Sequence, residues 1–519
     1  MLWPERGSAA AHDAGRRRRG RRCGWSAFCS RRFRAFPASP LGTGTHAAIG
    51  ACASGRGDTG SFTIVHVNDL QARYSDRDAA GKSRYARISG FMRAVKDEVP
   101  ATLVLDAGDD YEKGSLVDLR TAGAATRRIL HALPLDVRTL GNHDFAYGEA
   151  AVRADVRESP HVVLSANVRD PSDPTLFRSF VKLDVGCVRV GVLGLVTQPY
   201  GSDDEQKVGA SYGTFTHDPR VVKIASGIVD KYRGEVDVMI ALTHLGKGTD
   251  TYLAHEVSGL DFVIGGHSED TIEKPLRVPQ SGGGSALVLQ TGHFGEAVGR
   301  ADVVVRFAEK KVDVERYRLA QTSEIAPVDD ALDREITRLE REHVPGLNAP
   351  VGIVAKEHGA ADLAVMLANA ARDALGAEAV LVGKDAFWRK LGPGPVTLQK
   401  LYELVLVQKQ PIGTPGFTAL SVVEMPYSSF EKLGKALRKS GRFVLEVPRQ
   451  DGAPVSPTRT KSPVRVAVEK RVLEHPELAT WPPFRFGPKA GAPIELIDLF
   501  ERYARALAQR GAPLDDALL

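Results

Sequence analysis

Between residues 62 and 290 the chain repeats one local design, a short apolar run that stops on a carboxylate, amide or imidazole, often beside glycine. Short apolar runs separated by amphipathic stretches indicate strands buried between helical layers. The runs at 62–67, 101–106, 136–140, 161–165, 188–194, 236–242, 261–265 and 286–290 are read as strands, and 84–98, 122–132 and 218–233 as helices between them. Residues 298–307 and 312–319 alternate with the two-residue period of an antiparallel pair. In such a sheet, ligands bind beyond the carboxyl ends of the strands. There the sequence places Asn68, Asp69 and Gln71, then Asp109, then Asn142, His143 and Asp144, then His244, and last His267 and Glu269. One such residue at a strand end is usually a turn or cap residue. Five strand ends that deliver them to one edge make a metal-ligand inventory.

The chain of 519 residues is long enough for about three domains or two large ones. Charged residues dominate 328–343, which reads as an exposed helix, and Pro345, Gly346 and Pro350 follow it. The expected division is an Arg-rich tail at 1–60, an α/β domain at 61–322, a linker helix within 323–350 and a second, smaller α/β domain at 351–519. In the last of these, 361–375 and 493–510 read as helices, 378–382 and 418–425 as strands, and 449–463 as a long loop.

Net charge is +5, but residues 1–60 hold eleven arginines against three acids and so carry +8, which leaves the body at −3. A slightly acidic body argues against a nucleic-acid partner, which needs basic side chains clustered on the folded domain. Cys23, Cys29 and Cys52 lie in the tail and Cys187 stands alone in the body, so neither a disulfide within the body nor a cysteine zinc knuckle is expected. No uncharged apolar run is long enough to span a bilayer. The order of the tail, Arg-rich at 16–34 and then without charge to residue 55, resembles an export signal, and Ile49-Gly50-Ala51-Cys52 resembles a lipobox. Export, to the periplasm or to a membrane through a lipid on that cysteine, is one expectation; because Pro37, Pro40, Gly42 and Gly44 interrupt the apolar stretch, a disordered extension or a misassigned start is the other.

The blocks HVNDLQ, DAGDDYEKGS, GNHDFAYG, SANV, THLG, GGHSED and LQTGHFGEAVG resemble, in order, the signature of the 5′-nucleotidase and UDP-sugar hydrolase branch of the calcineurin-like metallophosphoesterases. The resemblance covers about residues 62–320 and continues weakly through 351–440. It implies an N-terminal four-layer α/β/β/α metallophosphoesterase domain followed by a smaller α/β substrate domain. It also implies two divalent ions; Mn²⁺ is expected first, for the reason given below, with Mg²⁺, Ca²⁺ and Zn²⁺ as alternatives. One would be held by Asp69, Gln71, Asp109 and Glu269, the other by Asp109, Asn142, His244 and His267. Two such ions about 3.5–4 Å apart clamp a phosphate and activate water. His143 would face the transferred phosphoryl group with Asp144 beside it, and Asn142, Phe387, Trp388 and Arg389 would contact a nucleotide-type substrate.

The sequence departs from the family pattern at several positions. Gln71 and Glu269 stand where an imidazole and a His or Gln are usual, which makes the first site all-oxygen and favours a hard ion. Ala146 stands where an aspartate usually pairs with the active-site imidazole, so turnover is expected to be slow unless Asp144 or another acid substitutes. Ile412 takes the place of a stacking Phe, and Phe387 or Trp388 is the other candidate platform, although such an aromatic pair beside a strand is more often core. His293 is assigned to packing. The expected function is hydrolysis of nucleotide or nucleotide-sugar phosphoesters. A catalytically weak ligand-binding homologue, or a hydrolase of a non-nucleotide phosphoester or sulfur-linked substrate, is the alternative.

Overall fold

The computed structural model describes residues 46–52, 56–198, 211–383, 386–387, 389–405, 419–440, 443–450, 453–457, 463–469, 472, 485–486, 494–511 and 514. Two sheets pack face to face. The first has six strands, in the order Lys311–Gln321, Ala297–Arg306, Thr59–Val67, Thr102–Asp106, Val137–Thr139 and Val162–Leu164. The second has seven, in the order His46–Ile49, Phe180–Val185, Val188–Val196, Val238–His244, Phe262–Ile264, Ser285–Leu289 and Leu276–Pro279. Ile64, Leu103, Leu105 and Val137 of one sheet share a buried apolar cluster with Val190, Val192, Ile240 and Ile264 of the other. Runs that are apolar on both faces suit strands covered on both faces.

Helices close the outer faces and complete four layers. Arg84–Glu98 and Ala124–Leu130 cover the first sheet, and Val221–Tyr232 and Lys247–Glu256 cover the second. Arg84–Glu98 begins where expected because the Ser83 side chain accepts the Tyr85 N–H, one of the donors a helix start leaves open.

The charged helix forms at Asp330–His343, capped by the Asp329 carboxylate, but it is not simply exposed. Leu332, Ile336 and Leu339 are buried in an apolar cluster that runs from Val65 and Ile88 to Leu363, Leu401 and Phe500. Its charged residues are the opposite stripe of an amphipathic helix. The C-terminal region holds a sheet in the order Phe443–Glu446, Ala379–Gly383, Val464–Glu469, Ala419–Met425 and Arg485–Phe486, packed on the helices Ala360–Leu375 and Leu496–Arg510. Within the stretch expected to be a loop, Arg449–Gln450 and Ala453–Pro454 pair antiparallel.

The N-terminal tail requires a correction. Residues His46–Ile49 form the edge strand of the second sheet, parallel to Phe180–Val185, and Cys52 is disulfide-bonded to Cys187. The cysteine of the lipobox-like segment therefore has its sulfur in this bond and is not free to carry a thioether-linked lipid. The sequence separated tail from body by charge, whereas this segment joins the body through backbone ladder bonds and a covalent link, and neither leaves a periodic trace. No helix among the described residues is long and apolar enough to cross a membrane.

Candidate metal centre

Parallel pairing sets the geometry of the centre. Val67 lies beside Asp106, and His244 lies beside Val196, so these strands end together at one rim. The turns that leave this rim are strained. Asp69, Gln71, Asp109, Glu112, Lys113, His267, Glu269 and Phe294 all have φ between 46° and 78°. Each non-glycine residue held there costs about 1 kcal/mol or more, and such outliers gather at functional sites. Gly141 lets the turns close. A Cβ at that position would lie 2.1 Å from Asp109 Oδ1.

Asp109, His244 and His267 bring one ligand atom each within 4.8 Å of one another. His244 Nδ1 lies 2.8 Å from the carbonyl of Ala107. A carbonyl only accepts, so Nδ1 donates and the neutral ring turns its Nε2 lone pair inward. That lone pair faces Asp109 Oδ2 at 3.0 Å. Two electron-rich atoms this close need a proton or a cation between them. Without an ion the protein supplies the proton: burial pulls the His244 pKa down, but Asp109 and Asp69 outweigh it and lift it to about 10. His267 goes the other way, lowered to about 4 by burial and by the neighbouring His244. The Asn142 amide is buried, with neither its oxygen nor its nitrogen hydrogen-bonded. An inward imidazole lone pair, a carboxylate and a buried amide oxygen make a donor set that fits a divalent ion.

Asp69 is fully buried and reaches the same centre, with Oδ1 4.0 Å from His244 Nε2. Its Oδ2 accepts from Asn68 Nδ2 at 2.7 Å and from the His267 N–H at 3.0 Å. Gln71 and Glu269 meet each other, Nε2 donating to Oε1 at 3.0 Å. Lys113, mentioned in the sequence only within its block, places Nζ 3.6 Å from the same Glu269 oxygen. His293 Nδ1 lies 3.9 Å from Glu269 Oε2, at the rim of the centre and not simply in packing.

His143 presents its ring between two carboxylates. Nε2 is 4.0 Å from Asp109 Oδ2, and Nδ1 contacts the Glu112 carboxylate. Glu112 thus presents a carboxylate to the ring at Nδ1, where Ala146 has none to offer. Asp144 does not take that part. Its carboxylate accepts the N–H groups of Asp109 at 3.2 Å, Asp110 at 2.8 Å and Gly141 at 2.6 Å, and so fixes the two turns against each other. Beneath them Arg138 is fully buried, with Nη1 2.8 Å from Asp155 and Nη2 3.4 Å from Asp110. Burial and the neighbouring Asp106 push the Asp110 carboxyl well above the usual carboxylate range.

The expected substrate contacts divide. Phe387 is buried in the core, edge-on to Phe500 with ring centres 6.2 Å apart, so it offers no open face for a base to stack on. Burial of its whole surface is what an apolar ring beside a strand gains most from. Trp388 and Ile412 lie outside the described residues. Arg389 projects toward the centre, 5.6 Å over the Phe294 ring and 3.6 Å from Glu403, and Arg73 lies 4.9 Å over the same ring. The Phe294 N–H donates to the Asp69 carbonyl at 2.6 Å.

Comparison with known proteins agrees with this geometry. The family model for calcineurin-like phosphoesterases matches residues 62–268. An apyrase of Tabanus yao is 28% identical over 277 residues, 48% of each chain. The 5′-nucleotidase of Homo sapiens is 28% identical over 282 residues, 49% of this chain and 48% of that one. The chain thus spans about half the length of these curated relatives. The crystal structure of a 5′-nucleotidase precursor from Thermus thermophilus superposes with a TM-score of 0.60 at 20% identity, covering 86% of this chain and 97% of that one. Turns carrying candidate metal ligands on a pair of stacked α/β sheets are the features these relatives are compared on. Residues 62–268 thus match the calcineurin-like phosphoesterases, and about half of the chain is similar to 5′-nucleotidases and apyrases.

Proposed function

We propose that the chain is a metal-dependent phosphoester hydrolase that acts on nucleotides or nucleotide sugars with water as the nucleophile. The observation that carries this reading is the inward lone pair of His244, 3.0 Å from the Asp109 carboxylate and gathered with His267 at the strand ends. In this reading Asp109, Asn142, His244 and His267 hold a divalent ion, and their mixed oxygen and imidazole donors suit Mn²⁺ or Zn²⁺ better than Mg²⁺ or Ca²⁺. The chemistry such an ion supplies is polarisation of a phosphoryl oxygen and acidification of water. Of the two ions implied by the resemblance, the donor geometry supports this one.

His143 approaches the phosphoryl group and hands a proton to the departing oxygen, while Glu112 fixes the ring through Nδ1. Asp144 positions the backbone of Asp109 and Gly141. Arg389 meets the charge of the phosphate from the C-terminal side. The Cys52–Cys187 bond supports an exported protein working in an oxidising compartment such as the periplasm, since structural disulfides rarely persist in a reducing cytosol.

The test is a substrate panel run on metal-stripped protein reloaded with each ion in turn. A nucleoside 5′-monophosphate, a nucleoside diphosphate, a nucleotide sugar and an aryl phosphate make up the panel. Release of phosphate or nucleotide that depends on the ion supports the reading. Tight metal binding with no turnover on any member overturns it in favour of a binding protein.

Glu112 yields a separate expectation. Glu112→Gln keeps the shape of the side chain but removes the carboxylate at His143 Nδ1, and kcat should fall about 10- to 100-fold with KM little changed. Equal kcat for the variant and the parent would show that His143 needs no acid behind it.

A further inference from the structure

We propose that the centre is mononuclear, and that the Lys113 ammonium occupies the place of the second divalent ion. The inference rests on the metal site read above for Asp109, His244 and His267, and concerns the other half of the expected pair.

With Lys113 in place, that other half does not fit an ion. Its expected donors are Asp69, Gln71, Asp109 and Glu269. Asp69 Oδ2 already accepts two N–H groups, from Asn68 and His267. Gln71 turns its amide nitrogen, a donor, toward Glu269 Oε1 at 3.0 Å. Because a carboxylate only accepts, this orientation of the amide is the favourable one. The Gln71 oxygen is left buried and without a partner. One neutral oxygen satisfies an ammonium hydrogen but falls well short of the coordination a hard divalent ion demands. Among the described residues, the His and carboxylate ligands gathered tightly enough for an ion are those of the other half only.

Lys113 is built into this place. Its Nζ lies 3.6 Å from Glu269 Oε1, its side chain is 10% exposed, and its charge acts on both Asp109 and His267. The backbone is closely held here. Glu112 and Lys113 are two successive left-handed residues, and Gly114 packs so closely on the neighbouring turn that a Cβ there would lie 2.1 Å from the Gln71 carbonyl oxygen. That contact sets Lys113 beside Gln71. Gln399 fixes the same turn from the far side, donating to the Gly114 carbonyl at 2.6 Å and accepting the Leu116 N–H at 3.2 Å.

Charge balance agrees. Asp69, Asp109 and Glu269 carry three negative charges, which one dication and one ammonium neutralise, whereas a second dication 3–4 Å from the ammonium would be strongly repelled. The ammonium can hold and orient a phosphoryl oxygen, but it cannot acidify water as a metal ion does.

The test counts ions on the full chain after incubation with excess Mn²⁺ and gel filtration, with the Mn²⁺ paramagnetic resonance spectrum as a second readout. The wild type should carry about one ion per chain with the spectrum of an isolated ion. Lys113→Met should carry about two, with the spectrum of a coupled pair, and Lys113→Arg should stay at about one. Two ions in the wild type, or one in Lys113→Met, would overturn the inference. The wild-type count decides alone if the variant does not fold. No ion in any of the proteins would instead overturn the reading of the His244 centre on which this one rests.

Discussion

His244→Ala is expected to lower kcat/KM for the best phosphoester substrate about a thousandfold, equivalent to about 4 kcal/mol of transition-state stabilisation. The side chain is fully buried and its Nε2 faces Asp109 Oδ2 at 3.0 Å, so no neighbour can take its place as a donor. The variant should also lose bound metal, which separates this effect from a change in substrate binding. Folding is not expected to suffer equally, because the ring makes its polar contacts at the end of its strand, through Ala107 and Asp109. Steady-state kinetics alongside metal content and thermal unfolding would check all three. A variant that kept its metal and its rate would remove His244 from the chemistry and leave the turns without a purpose for their strain.

The second large effect is on stability. Cys187→Ser opens a bridge between residues 135 apart in sequence, and the loop-entropy model assigns such a closure about 4–5 kcal/mol. That is roughly a thousandfold in the ratio of folded to unfolded protein. Cys187 lies in the turn before Val188–Val196, at the opposite end of the sheet from the rim where His244 stands beside Val196. Metal content and kcat at low temperature should therefore be unchanged while the denaturation midpoint falls. A reductant should bring the wild type down to the same midpoint and leave the variant where it is. Coincident unfolding curves for oxidised wild type and variant would show that the ladder bonds of His46–Ile49, and not the bridge, hold this edge.

What the sequence disclosed depended on the range of the interaction. Apolar runs and helix starts are local, and the strands carrying Asp69, Asp109, His244 and His267 could be placed from pattern alone. The partners that complete the centre are not local. Glu112 reaches His143 across 31 positions, and Lys113 meets Glu269 across more than a hundred and fifty. The one available signal was the block DYEKGS itself, where an acid and a base stand beside the glycine that docks the turn. The Cys52–Cys187 pair was hidden for a related reason, since charge assigned one partner to a tail and the other to the body. Phe387 shows the opposite error. Its aromatic character invited a role in stacking, but the neighbouring helix Leu496–Arg510 supplies Phe500 to bury it.

The Gln399 side chain places the two halves of the molecule under mutual control. Its amide grips both faces of the turn that ends in Gly114, so the lysine and the acid beside the metal ligands are held by a residue of the C-terminal half. A shift of the helix Leu398–Leu404 would disturb that grip and with it the turn that carries Lys113. Leu401, Tyr402 and Leu404 of that helix are buried in one cluster with Val65, Tyr74 and Leu116, so its removal would open the core beneath the turn as well as release Gly114. The ligand-bearing turns thus depend for their shape on a contact made by the other end of the chain.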